Sequence, residues 1–180
     1  YFVNRTGTYA VTVSRTVRVE FFGAHNMQNL SAAREVSLAA GVTEDQFYEA
    51  IGSFTGSAKR LQQFAAAGGR VVYLDFAHAP SKVKASVDAV AEQYPGKKIV
   101  AVLELHTYSS LSAGFLPLYS GTLGSADEAF VYFNPHALSM KKLPEISAGE
   151  VAAAFGGENI RVFSDSGRLL DSLLSVSGKD

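Results

Sequence analysis

From Arg70 onward, short apolar segments alternate with segments that have a helical pattern. The predicted strands cover residues 71–74, 98–105, 128–133 and 160–163. The predicted helices cover residues 80–93, 112–123, 147–155 and 167–174. Strands that alternate with helices favour a parallel sheet covered by helices on both faces, and near-continuous apolar strands are typical of such sheets. We therefore expect an α/β domain with a mostly parallel sheet.

The first 56 residues have a different pattern. Their predicted elements are a hairpin of strands 8–13 and 18–22 around Ser14-Arg15, a helix at 26–40 and a second helix that starts after Thr43. Gly41 is placed to end the first helix, and Thr43 with Gln46 three residues later predicts a capping box. We place a domain boundary between residues 56 and 57, with Gly68-Gly69 as a tight turn into the first strand of the second domain.

The composition narrows the class of protein. The chain has 180 residues, of which 47% are hydrophobic and 18% charged, as in folded globular proteins. The formal net charge is -1, so no basic field would attract nucleic acid or an anionic membrane. The chain has no cysteine, which excludes disulfides and thiolate sites. Without an apolar run of membrane-spanning length, we expect a cytoplasmic protein; the start at Tyr1 rather than Met suggests a fragment.

Polar residues follow the predicted strands, at the edge where parallel sheets bind ligands. After the first strand, Asp75 is suited to accept hydrogen bonds from ribose hydroxyls, and His78 precedes a helix N-terminus that favours phosphate. Alternatively, Asp75 caps the turn and His78 packs. After the second strand, five residues either line a substrate pocket or form a solvated loop with a serine helix cap: His106, Thr107, Tyr108, Ser109 and Ser110.

Three further positions carry side chains suited to a nucleotide. Asn26 and Asn29 share a face of a helical turn, and their amides match the donor and acceptor of adenine, although Asn26 also suits a helix N-cap. The guanidinium of Arg60 suits phosphate or ribose oxygens, although a surface arginine would look the same. Asn134-Pro135-His136 and Lys141-Lys142 after the third strand predict a proline turn and an exposed basic pair, with His136 at most bordering the site.

Several motifs are absent from the sequence. It has no glycine-rich phosphate loop ending in Gly-Lys-Ser/Thr and no GxGxxG after the first strand, so dinucleotide binding is not expected. It has no GxSxG nucleophile elbow, and no two histidines have the spacing of a zinc helix. We assign no catalytic residue and no metal ligand to this chain.

Three segments together resemble the Mur ligase family. Residues 23–30 are similar to its GxHNxxN element, residues 54–61 to its SFxGxxxR element, and residues 75–80 to its D-[FY]-A-H-x-P element. They occur in the family's order with family-like separations. The resemblance implies the end of a central ATPase domain at 1–56, followed at 57–180 by a Rossmann-like C-terminal domain.

The resemblance also implies roles for the candidate residues. Asn26 and Asn29 would contact the adenine of ATP, Arg60 its ribose or phosphates, and Asp75 its ribose. His78 would line the nucleotide and the incoming substrate, and residues 106–110 would face that substrate. In this family ATP phosphorylates a muramoyl carboxylate, the amine attacks the acyl phosphate, and phosphate leaves. The phosphate loop and the Mg²⁺ ligands would lie upstream of Tyr1, so we expect the fragment alone to be inactive.

The acceptor amine is the least constrained part of this interpretation. Asp75-Phe76-Ala77-His78 is most similar to the branch that joins L-alanyl-γ-D-glutamyl-meso-diaminopimelate to UDP-N-acetylmuramate in peptidoglycan recycling. However, Ala79 replaces a second histidine of several relatives. The loop after the second strand also lacks the arginine with which many relatives hold a substrate carboxylate. The alternatives are a ligase that adds L-alanine to UDP-N-acetylmuramate and a nucleotide-binding module without ligase activity.

Overall fold

The computed structural model describes residues 1–4, 7–12 and 15–177. The chain forms two compact units. The first comprises Tyr1–Ala77 and Asp88–Pro95, and the second comprises His78–Val87 and Gly96–Asp180. The domain boundary expected between residues 56 and 57 concerns the domains of the family and stays a prediction.

The first unit contains an antiparallel sheet, two helices and a separate hairpin. In chain order its elements are β1 (Phe2–Asn4), β2 (Gly7–Val11), β3 (Thr16–Val19), α1 (Ala24–Ala39), α2 (Glu44–Gly52), β4 (Gln62–Ala67) and β5 (Arg70–Leu74). Helix α3 (Pro80–Gln93) follows and contributes residues to both units. The antiparallel pairing of β2 with β3 confirms the predicted hairpin; Ser14, at its predicted turn, lies outside the described residues.

Helices α1 and α2 pack apolar faces into the core of this unit. The buried core residues are Ala10, Val19, Met27, Leu30, Phe47 and Tyr48. The capping box of α2 is confirmed, because the Gln46 amide donates to Thr43 Oγ1 (3.3 Å) and the Thr43 amide donates to Gln46 Oε1 (2.9 Å). Helix α1 begins earlier than predicted, and its N-cap is Gly23 with φ 92°. The alternative of Asn26 as N-cap is therefore wrong.

Strand β5 differs from the prediction in its partner. It pairs antiparallel with β4 in a two-stranded sheet of its own, whereas the sequence suggested that it joins the parallel sheet. Gly68 and Gly69 form the connecting turn with φ of 57° and 74°, which is the geometry that favours glycine in two-residue hairpins. Strand β4 was not predicted, because all its residues are exposed and its Gln-Gln-Phe-Ala-Ala-Ala sequence does not alternate.

The second unit is built on a parallel sheet. It begins with the first part of α3, up to Val87. Its further elements are β6 (Val100–Leu105), a 3-10 helix (Leu116–Tyr119), β7 (Glu128–Phe133), α4 (Pro135–Met140), α5 (Ala148–Phe155), β8 (Ile160–Phe163) and α6 (Ser166–Ser177). The strands lie in the order β6-β7-β8, all parallel. In the central strand, Ala129, Phe130 and Val131 are fully buried. The expected α/β class with a parallel sheet is confirmed.

Two predictions in this unit were wrong in detail. The helix expected at 112–123 is a single 3-10 turn, since Gly114 and Pro117 disfavour a regular helix. The proline turn expected after the third strand is helix α4, whose N-terminus is capped by Asn134 Oδ1 accepting from the His136 amide at 2.9 Å. By contrast, the Ser147–Glu150 capping box of α5 is confirmed. None of the helices within the described residues is long and apolar enough to cross a membrane.

Candidate functional site

A cavity of about 230 Å³ opens in the first unit beside α1 and α2. It is lined by Phe21, Asn26, Asn29, Leu30, Ala33, Ile51, Phe54, Gly56, Ser57 and Arg60. Three residues predicted from the sequence to bind a nucleotide, Asn26, Asn29 and Arg60, therefore line the same cavity. They come from two segments about thirty residues apart, which the fold of α1 and α2 brings together.

The two asparagines differ in how firmly they are held. The half-buried Asn26 donates from Nδ2 to the Phe22 carbonyl at 2.8 Å, which fixes the plane of its amide. Its second N–H and its oxygen remain as further hydrogen-bonding groups. Asn29 lies three residues further along α1 and is exposed. The pair thus presents one oriented and one adjustable amide to the cavity.

The rest of the wall is mostly apolar. The rings of Phe21 and Phe54 pack edge to face with centroids 5.7 Å apart, and Leu30 and Ile51 complete that side. A small apolar slot with a few polar groups suits an aromatic base. Its volume is below the roughly 300–1,000 Å³ of pockets that enclose a drug-sized ligand. The cavity is therefore too small to enclose a whole drug-sized ligand.

Asp75 stabilises the turn that carries Arg60. Its Oδ2 accepts a hydrogen bond from the Leu61 amide (2.9 Å), and its Oδ1 accepts one from the Ala77 amide (2.6 Å). Lys59 and Leu61 on either side of Arg60 have φ of 56° and 44°, values that are strained for residues with a side chain. The turn-capping alternative thus describes the bonds that Asp75 makes. Its predicted contact with ribose stays a prediction.

His25 is a residue of this region to which the sequence analysis gave no role. Its Nδ1 is buried and has no hydrogen-bond partner among the described residues. Burial lowers the pKa of His25; the negative charge of Asp75 opposes this shift, and the positive charge of Arg60 adds to it. A neutral imidazole therefore lies in the electrostatic field of both candidate groups. Its position next to Asn26 in the GxHNxxN element was the signal that could have identified it.

In the second unit, the structure brings together His78 and His106. Their ring centroids are 6.0 Å apart at an interplanar angle of 63°. The His78 carbonyl accepts a hydrogen bond from the Tyr119 hydroxyl, which fixes the start of α3. The residues predicted for the nucleotide side and for the incoming substrate are thus neighbours at the end of β6.

The loop after β6 contains both bracing and exposed residues. The Thr107 amide donates to Ser110 Oγ (3.0 Å), and the Ser110 amide donates to Thr107 Oγ1 (3.1 Å). The Ser110 side chain is 1% exposed, so it supports the loop from inside. Tyr108 is 62% exposed, and His106 and Ser109 are also exposed. The predicted contact of this loop with a substrate stays a prediction.

The described residues include no candidate metal centre. Among residues 1–4, 7–12 and 15–177, no cluster of three or more His, Asp or Glu side chains could hold a metal ion.

A family model and related sequences both indicate the same family. The family described as "Mur ligase, glutamate ligase domain" matches residues 59–180. UDP-N-acetylmuramate–L-alanine ligase of Chlorobaculum parvum is 33% identical over 169 residues, covering 91% of this chain and 36% of that protein. The ligase of the same name from Mycolicibacterium gilvum is 34% identical over 141 residues, covering 77% of this chain and 29% of that protein. The chain thus spans about a third of the length of these relatives.

A solved structure supports the fold. The crystal structure of MurF from Acinetobacter baumannii is similar with a TM-score of 0.69 at 21% identity, covering 90% of this chain and 33% of that one. At this level of identity the similarity concerns the fold alone.

Proposed function

The chain belongs to the Mur ligase family, and from this premise we propose that it forms part of an ATP-dependent ligase that joins an amine to the muramoyl carboxylate of UDP-N-acetylmuramate in peptidoglycan metabolism. The observation that carries the proposal is the family match over residues 59–180. The cavity that Asn26, Asn29 and Arg60 share supports the nucleotide part of the proposal.

Different cavity residues would contact different parts of the nucleotide. The adenine base would occupy the apolar slot, where the amides of Asn26 and Asn29 supply donors and acceptors. Arg60 would reach the ribose or the phosphates with its planar set of donors. The two backbone bonds accepted by Asp75 would keep Arg60 in position, in addition to the ribose contact predicted for Asp75.

The reaction we propose has two steps. The terminal phosphoryl group of ATP is transferred to the muramoyl carboxylate, which yields an acyl phosphate and ADP. The acceptor amine then attacks the acyl carbon, an amide bond forms, and phosphate leaves. Mg²⁺ would offset charge on the phosphates, and the family resemblance leads us to assign its ligands and the phosphate loop to other parts of the protein.

We propose a peptide, L-alanyl-γ-D-glutamyl-meso-diaminopimelate, as the acceptor. Its support is the Asp75-Phe76-Ala77-His78 sequence. L-Alanine is the second candidate, because relatives with about a third of their residues identical are named UDP-N-acetylmuramate–L-alanine ligase. Both acceptors use the same muramoyl donor. The cytoplasmic location expected from the sequence stays a prediction.

The test is product analysis with the full-length protein. ATP and UDP-N-acetylmuramate are supplied with either L-alanine or the peptide, and phosphate release and product mass are measured. Amide formation with one acceptor supports the ligase and identifies its substrate. Binding of ATP without product from any amine would instead favour a nucleotide-binding module.

The nucleotide site is tested with Arg60→Ala. Loss of a charged contact should raise the KM for ATP by about tenfold or more. The matched control is Arg168→Ala on α6, which removes an exposed arginine from the second unit. Unchanged ATP kinetics in Arg60→Ala would remove the assignment of the cavity to ATP.

A further inference from the structure

The loop after β6 lacks an arginine, yet a cation lies beside it. Lys141 Nζ is 4.3 Å from the centroid of the Tyr108 ring. Strands β6 and β7 are parallel neighbours whose last residues, Leu105 and Phe133, are paired in register. The loop that carries Tyr108 and helix α4, which ends at Lys141, therefore leave the sheet at the same edge. This is the edge where parallel sheets bind ligands.

The backbone around Lys141 is well fixed. Helix α4 is anchored by Leu138, whose side chain is 2% exposed. At its end the Lys141 amide donates to the Ala137 carbonyl (3.1 Å), and the Leu143 amide donates to the Leu138 carbonyl (3.0 Å). Lys142 reverses the chain with φ 54°. The half-buried Lys141 thus has a backbone position that is fixed by the end of the helix.

Lys141 carries a positive charge beside the Tyr108 ring. Within the part of the chain that the structure describes, no Asp or Glu lies within ion-pair distance of Lys141, whereas Lys98 pairs with Glu128 at 2.5 Å. A ring face attracts an ammonium group without using its hydrogens as a carboxylate would. The ammonium of Lys141 therefore keeps donors for a ligand while Tyr108 limits its motion.

We propose that Lys141, held against the Tyr108 ring, binds a carboxylate of the amine acceptor in place of the arginine that the loop after β6 lacks. The inference rests on the proposed ligase function and deepens it, because it restricts the acceptor to an amino acid or peptide with a free carboxylate. Tyr108 acts as a positioning residue for the lysine.

The experiment measures steady-state kinetics of the full-length protein. Lys141→Gln should raise the KM for the acceptor by about tenfold, as expected for the loss of a charged contact, with the KM for ATP unchanged. Lys141→Arg should restore most of the affinity. The matched control is Lys97→Gln, which removes an exposed lysine that precedes β6, at the opposite end of that strand.

Two further comparisons isolate the carboxylate and the ring. An acceptor with its carboxylates converted to carboxamides should bind the wild-type protein more weakly, whereas Lys141→Gln should discriminate less between acid and amide. Tyr108→Phe keeps the ring and should resemble the wild type, while Tyr108→Leu should share part of the Lys141→Gln defect.

The possible failures are distinguishable. If the wild type forms no product with any amine, the proposed function fails. If the wild type is active and Lys141→Gln has the same acceptor KM and the same acid-to-amide preference, the inference alone is overturned. A rise in the KM for ATP equal to that for the acceptor would also overturn it, because a general structural defect would then explain the variant.

Discussion

Replacement of Asp75 by alanine should loosen the turn that carries Arg60. The change removes the acceptor of two charge-assisted hydrogen bonds, from Leu61 (2.9 Å) and Ala77 (2.6 Å). Hydrogen bonds to charged groups contribute roughly 1.5–3 kcal/mol each. Because Asp75 is only half-buried, water can replace part of what is lost. Relaxation of the strained φ values at Lys59 and Leu61 also offsets some of it, so we expect a loss of about 2–3 kcal/mol.

Amide hydrogen exchange measures this loss where it occurs. In Asp75→Ala, a local loss of about 2–3 kcal/mol should accelerate exchange of the Leu61 and Ala77 amides by about 30- to 150-fold, since roughly 1.4 kcal/mol corresponds to a factor of ten. Asp75→Asn keeps one carbonyl oxygen and should protect one of the two amides. The control is Asp171→Ala, an exposed carboxylate on α6.

The same variants test the nucleotide role. In the full-length protein, Asp75→Ala should also raise the KM for ATP by about tenfold or more, through the loss of the predicted ribose contact and of the position of Arg60. Unchanged exchange at both amides would refute the bracing role. Lost protection at both amides with unchanged ATP kinetics would show that the turn and the nucleotide are independent.

Two other properties should respond in a defined direction. Leu116→Ala should lower the free energy of unfolding by about 2–5 kcal/mol, because Leu116 is only 1% exposed. Leu118→Ala on the same 3-10 turn should change it by about 0.5 kcal/mol or less, because Leu118 is 60% exposed. Equal urea midpoints for the two variants would contradict this. Burial lowers the pKa of His25, so its stabilising contribution is fully present above the unfolded-state pKa of about 6.5 and is lost as the pH falls towards the folded-state pKa. Urea unfolding between pH 7.5 and 5 should therefore show a flatter profile for His25→Gln than for the wild type or for His136→Gln on α4, and parallel profiles would refute the argument.

Elements with local signals were predictable from the sequence. The bounds of α3, β7 and β8 agree with the prediction, since a proline at the first helical position marks α3 and predominantly apolar segments mark the two strands. The capping boxes at Thr43 and Ser147 depend on residues three apart and need no tertiary information. Each capping box is therefore specified by residues within one helical turn of each other.

Features that are defined by their pairing partner, and not by a pattern of their own, were not predictable. Strand β4 is exposed along its whole length and is defined by its pairing with β5 across Gly68-Gly69. The position of Lys141 against Tyr108 depends on the register of β6 with β7, which the sequence does not show. The candidate residues were therefore found as motifs, but their neighbours became known only from the structure.

Each candidate segment contains side chains that stabilise its backbone by hydrogen bonds and side chains that remain exposed. Asp75 is bonded to backbone amides near the exposed Arg60, and Thr107 with Ser110 forms a closed hydrogen-bonded pair around the exposed Tyr108. A residue of the first kind acts on a ligand through its neighbour, so its loss should change both stability and KM. Loss of a residue of the second kind should change KM while stability is retained. Measuring both stability and KM for each variant therefore distinguishes the structural positions of a family motif from its ligand-binding positions. We expect the structural positions to be those whose side chains already form hydrogen bonds within the chain.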